Sequence, residues 1–185
     1  AMILLLSITG AVAGGLWALI PALMKAFAKT DEIVVTLMLN YVAIFWVDYL
    51  VYGPWKDPKG YGFPGTAPFP DQARLPTLFK GEFHVGFCIA LAIAVVLFYV
   101  YRKTSWGMNS KIVGDNAQAA RYSGISIVRY TIIALVVSGA IAGLGGAVQM
   151  MGVQHRFQHG FSPGYGYTAI IVAWLAKLNP IAILL

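Results

Sequence analysis

Met2 to Ile20, MILLLSITGAVAGGLWALI, runs for 19 residues without a charge. A helix of that length crosses most of a hydrocarbon core roughly 30 Å thick, so the stretch predicts a membrane span and sets the class of the whole chain. Gly10 and Gly14 stand four apart inside it, followed by Gly15. In lipid, where packing replaces the hydrophobic drive between helices, that spacing lets a neighbouring helix approach closely. Pro21 is expected to end or kink the helix. Composition agrees: 59% of the 185 residues are hydrophobic, only 11% are charged, and mean hydropathy is +0.73. A soluble domain is normally about half apolar. The net charge of +6 does not point to nucleic acid, because no basic cluster is interleaved with a soluble fold, and cations flanking spans account for it. Cys88, the single cysteine, lies within an apolar run and allows no intrachain disulfide.

Working outward, the fold class is all-α, a polytopic helical membrane protein with about five segments in one transmembrane domain, 1–185. Its spans are expected at 2–20, 33–50, 83–101, 128–151 and 167–185, the last broken near 177–180. Lys25, Lys29, Asp31 and Glu32 mark the first short connection. Asn40 lies mid-way along the second run, one turn after Thr36. A polar group at that depth either lines a translocation path or bonds a neighbouring helix, and Gln149 in the fourth run has the same two readings. Asp48, beside Trp46 and Tyr49, is expected to reach the interfacial belt. Residues 51–82 form an outer loop: six of the nine prolines fall there, too dense for a helix. Trp55, Tyr61, Phe63, Phe69 and Phe79 interleave with them, the mark of a loop folded on its own side chains. His155 and His159 are four apart, but Gly160 and Pro163 oppose a helix and no acidic partner is expected near, so no metal site is expected. Lys177, Asn179 and Pro180 interrupt the fifth run, the pattern of a broken helix.

Between the third and fourth spans lies Gly114 to Gly124, GDNAQAARYSG, a polar segment in residues 102–127. Asp115 or Asn116 can cap a helix N-terminus and Gly124 suits a left-handed stop. One or two turns between them would place Ala117, Ala120 and Gly124 on one small face that another protein could approach, with Arg121 beside it. Residues 101–130 carry five cations and one acid, which places this loop in the cytoplasm and the proline-rich loop outside.

There is also an internal echo. Thr9 to Gly15, TGAVAGG, matches Ser138 to Gly143, SGAIAG, within a run that carries Gly139, Gly143 and Gly146 along one face. With five alternating crossings the first and fourth spans run oppositely, so the echo would be an inverted repeat.

These segments together resemble a known family. The order Thr30–Tyr41 (TDEIVVTLMLNY), Gly53–Gly60 (GPWKDPKG) through Ala73–Pro76 (ARLP), Val113–Ile125 (VGDNAQAARYSGI), Ser138–Ala147 (SGAIAGLGGA) and Phe161–Pro180 (FSPGYGYTAIIVAWLAKLNP) is similar to the permease subunit of ATP-binding-cassette importers. Within that group the nucleoside and simple-sugar branch is most similar, related to permeases for ribose-like sugars and branched-chain amino acids. Lys111 and Ile112 stand where the family usually has Arg-Ala. The permeases it resembles are longer, so the resemblance implies a central portion without spans at both ends.

The resemblance implies a multi-pass protein of the inner (cytoplasmic) membrane that is no enzyme and carries no cofactor. Its cytoplasmic loop would be a coupling helix seated on an ATP-binding-cassette ATPase subunit, through Ala117, Ala119, Ala120, Arg121, Tyr122 and Gly124. The further partners implied are a second permease subunit and an extracytoplasmic substrate-binding protein docking on the proline-rich loop and the 152–166 link. Without a GxxxxGK[ST] phosphate loop in the chain, ATP hydrolysis is expected in the partner subunit. Tyr41, Phe45, Phe161 and Tyr165 could stack on a base or serve as core, so nucleoside and sugar both stay open. A channel without an ATPase would be the alternative class.

Overall fold

The computed structural model describes residues 2–58, 64–76, 85–160, 164–179 and 182–184. The expectations for Tyr61, Phe63, Phe79, Phe83, Phe161, Pro163 and Pro180 lie outside the described residues. Among the described residues seven α-helices follow one another: α1 (Met2–Ala28), α2 (Glu32–Tyr52), α3 (Val85–Lys103), α4 (Ser105–Asp115), α5 (Ala117–Tyr122), α6 (Ile127–Gln149) and α7 (Tyr165–Leu175). A π-helical turn, Met150–Gln154, prolongs α6. No strand forms among the described residues, only an isolated bridge between Gly65 and Gln158. The protein is an all-α, polytopic membrane protein: α1, α2, α3 and α6 with its π turn are long and apolar enough to cross a bilayer, and α7 is a shorter apolar helix. Their large apolar side chains face outward, Leu4 at 66% and Phe45 at 68% exposure, a surface that water would penalise and lipid matches.

The chain divides into two compact units, Ala1–Gly86 with Thr131–Phe161, and Phe87–Tyr130 with Ser162–Leu185. In the first unit, α1 does not stop at Pro21 but runs on to Ala28. A proline costs one backbone bond, which a membrane helix tolerates where its neighbours cover the site, and Pro21 and Ala22 are both buried here. The turn to α2 is tight. Lys29 adopts a left-handed φ of 54°, the Asp31 carboxylate accepts from the Ile33 N–H at 2.8 Å as N-cap, and Lys25 pairs with Glu32 across the bend.

The two glycine-bearing echo segments pack directly on each other, antiparallel. Gly10 lies against Gly143 and Ala147, and Gly139 lies against Gly14 and Ala18. Exchanging α1 for α6, with Gly10 matched to Gly139 and Gly14 to Gly143, carries each contact onto another, the geometry of an inverted pair. Gly146 does not join this seam, since a Cβ there would meet nothing within 4 Å.

The proline-rich loop is strapped to the far end of α6. Phe69 donates its N–H to the His155 carbonyl at 2.8 Å, and Thr66 and Phe157 bond each other in both directions, N–H to carbonyl at 2.9 Å and N–H to hydroxyl at 3.0 Å. The π turn frees the Met151 carbonyl from the regular ladder, and the Leu75 N–H takes it at 3.0 Å. Phe157 packs edge-on to Phe69 and tilted against Trp55. This is a loop held by specific bonds, with a 3-10 turn at Asp71–Ala73 as its one helical element among the described residues.

Candidate functional site

The second unit holds the cation-rich segment between α3 and α6. Thr104 begins it as an N-cap. Its hydroxyl donates to the Val100 carbonyl at 2.6 Å and accepts from the Gly107 N–H at 3.3 Å, so α3 ends and α4 starts at one residue. Gly107 sits so near α3 that a Cβ would lie 2.6 Å from the Cα of Tyr101, so glycine is what lets α4 fold back closely. Trp106 then fills the corner, its ring 5.7 Å from Tyr101 and stacked at 6.4 Å on Tyr130 at the start of α6. The Asn109 amide donates to the Tyr130 hydroxyl at 2.9 Å, which gives each polar tip a partner. α4 is thereby clamped to the ends of both long helices.

Asn116 closes α4 and opens α5, and of the two candidate caps it is the one used. Its side-chain oxygen accepts from the N–H groups of Gln118 at 2.9 Å and Ala119 at 3.1 Å, while Asp115 is the last residue of α4. At the other end Gly124 takes φ 74° and its N–H reaches the Arg121 carbonyl, while the Ile125 N–H reaches that of Ala120. A six-residue helix is marginal alone, so these fixed ends are what hold it.

The exposure of α5 differs from the small face expected. Ala120 is fully buried, whereas Ala117, Ala119, Arg121 and Gly124 are exposed and Tyr122 is 93% exposed. Six residues cannot show all their small side chains to one partner, because α5 must spend one face on its own unit, and Ala120 is that face. What points outward is an aromatic ring and a guanidinium flanked by alanines. The same segment also carries Arg102, Lys103, Lys111 and Arg129, all exposed, with Asp115 as the single acid of residues 101–130. The segment as a whole is therefore electropositive.

The candidate path residues belong to the first unit. Thr36 and Asn40 are both exposed one turn apart on α2, and the Thr36 hydroxyl donates back to the Glu32 and Ile33 carbonyls at 2.8 and 3.0 Å. Gln149 is half-buried at the point where α6 passes into the π turn. Tyr41 and Phe45 are exposed along α2, and Tyr165 is exposed in the first turn of α7. α7 ends at Leu175, and Lys177 and Leu178 take left-handed φ of 50° and 56°, so the interruption of the fifth run starts before Asn179.

Two contacts had no signal in the linear sequence. His159 does have an acidic neighbour: its Nδ1 lies 3.1 Å from Asp48 of α2, with Tyr52 edge-on to the ring at 5.7 Å. His155 is drawn instead into the left-handed turn that ends the π helix, with φ 57°. Among the described residues no cluster of three or more metal-ligating side chains forms. The Asn109 to Tyr130 bond spans 21 positions and was likewise unannounced by any pattern in the sequence.

Known proteins are similar to this chain along its length. It is 35% identical to the glucose ABC transporter permease protein TsgB13 of Haloferax volcanii, over all of this chain and 51% of that protein. It is 31% identical to the guanosine ABC transporter permease protein NupP of Bacillus subtilis, over 96% of the chain and 52% of that protein. The nucleoside ABC transporter permease protein NupB of Lactococcus lactis is 32% identical over 99% of the chain and 53% of its own length. The chain thus spans about half the length of these curated relatives. No solved structure matches it. The model of the branched-chain amino acid transport system / permease component family matches residues 1–185, and the chain belongs to that family.

Proposed function

We propose that this chain forms part of the membrane subunit of an ATP-binding-cassette importer for a nucleoside or simple sugar, in the inner membrane, and that α5 is where the ATPase partner grips it. The observation that carries this reading is Tyr122, 93% exposed on a helix whose two ends are tied by Asn116 and Gly124. Exposed tyrosine and arginine on a rigid element are what well-packed protein interfaces use as anchors. The relatives named for guanosine, nucleosides and glucose support the substrate class. ATP would close the partner subunits, α5 would move with them, and the spans would change the side from which substrate is reached. A binding protein would deliver the substrate to the strapped outer loop.

The test is Tyr122→Ala in the full-length permease, reconstituted with its ATPase and binding protein. Removing an interface anchor costs about 2 kcal/mol or more, so binding of the ATPase should weaken about 30-fold. The thermal midpoint should not move, because the ring touches little of its own unit. Unchanged ATPase binding and unchanged substrate-stimulated hydrolysis would overturn the assignment of α5.

A further inference from the structure

In the first unit, one face of the α1–α6 pair carries an open groove of about 680 Å³. Gly10, Ala13, Gly146 and Ala147 line its length, and Phe69 and Phe157 close one end. The groove offers almost nothing to a polar solute: the Thr9 hydroxyl on its wall already donates to the Leu6 carbonyl of its own helix at 3.0 Å. A nucleoside or sugar would lose its hydrogen bonds to water there and gain none, so the groove is not a substrate site.

Gly146 indicates what fills it. Gly10 and Gly143 are glycine because the α1–α6 seam leaves no room for a side chain, but a Cβ at Gly146 would meet nothing within 4 Å. Its φ is not in the left-handed range, so no backbone conformation demands glycine either. Glycine inside a helix is unfavourable relative to alanine by about 1 kcal/mol in water, and an acyl chain lying on the surface gives no reason to accept it. Close approach of another helix backbone does. The relatives, about twice as long as this chain, supply the polypeptide.

We infer that the groove seats an apolar transmembrane helix from the part of the permease polypeptide outside these 185 residues, crossing α6 at Gly146. This does not depend on the transport reading or on α5.

The experiment uses the full-length permease in its native membrane, with photo-leucine, a diazirine analogue, placed at Leu6 on the groove wall. After irradiation the dominant adduct should be an intrachain cross-link, mapped by mass spectrometry to a peptide outside residues 1–185. Mainly lipid adducts would overturn the inference in favour of an acyl-filled groove, and cross-links between two copies would overturn it in favour of a dimer contact. Gly146→Leu should lower the cross-link yield at least tenfold, and an unchanged yield would remove Gly146 from the contact. Should that variant fail to fold, the cross-link in the otherwise native chain still decides the occupant. No step requires ATP or substrate.

Discussion

Across the α1–α6 seam, a Cβ on Gly14 would lie 2.7 Å from the Cα of Gly143, and a Cβ on Gly143 would lie 2.8 Å from the Cα of Gly14. Each glycine is the hole that the other's backbone occupies. Neither neighbour is the tip of a flexible side chain, so a methyl at either position forces the helices apart. Gly14→Ala and Gly143→Ala should each destabilise the full-length permease by about 1–3 kcal/mol, the usual cost of overpacking. Thermal unfolding in detergent checks this. The pair of substitutions should cost less than the sum of the two, because the first already opens the seam that the second needs.

Ala120 and Asn116 test how α5 is held. Ala120 is fully buried, so Ala120→Trp should loosen the loop itself, raising proteolysis between residues 102 and 127. Asn116→Ala removes the acceptor of two N–H groups and should cost about 1 kcal/mol. Both substitutions should weaken ATPase binding together with the loop's protection from protease, whereas Tyr122→Ala should weaken binding alone. Ala120→Trp with full protease protection would contradict the buried placement.

Asn40 is expected to matter for passage. In the full-length permease, Asn40→Leu should reduce substrate flux per folded molecule several-fold while shifting the thermal midpoint little. Interhelical hydrogen bonds in membranes are worth about 0.6–2 kcal/mol, so a clear stability loss with normal flux would make Asn40 a packing contact instead.

Sidedness can be read chemically. In a Cys88→Ala background, Lys56→Cys and Lys111→Cys should react with an impermeant maleimide from opposite sides of the membrane. Both lysines are exposed, and α3, a 19-residue apolar helix, lies between them in sequence. A helix of that length is about 28 Å, enough to cross. The cation excess puts Lys111 inside. Labelling of both from outside would mean α3 does not span, and labelling of Lys111→Cys alone would invert the chain and remove α5 from the cytoplasm.

The long apolar helices were legible because lipid imposes a crude rule, a long run without charge, and Met2–Ile20 within α1 obeys it. The small-residue spacing of Gly10, Gly14, Gly139 and Gly143 was visible too, but not that α1 and α6 are each other's neighbour, nor that Gly146 stays out of their seam. Helix ends and faces were harder. Pro21 sits inside α1 because tertiary burial outweighs one lost backbone bond, which no local pattern announces. Ala120 was assigned outward from spacing alone, but which way a two-turn helix faces depends on how α4 is clamped by Trp106, Asn109 and Tyr130. Asp48 and His159 meet across 111 positions, a distance at which charge patterning carries no information.

The closeness of Gly14 to Gly143 also fixes an order of events during synthesis. Position 143 follows position 14 by 129 residues, which a ribosome adding roughly 5–20 residues per second needs about 6–26 s to complete. Throughout that interval α6 does not yet exist, so the glycine notch of α1 lacks the backbone that fills it in the folded chain. The α1–α6 joint can close only when α6 arrives beside α1, so it is made late, between two helices far apart in the sequence.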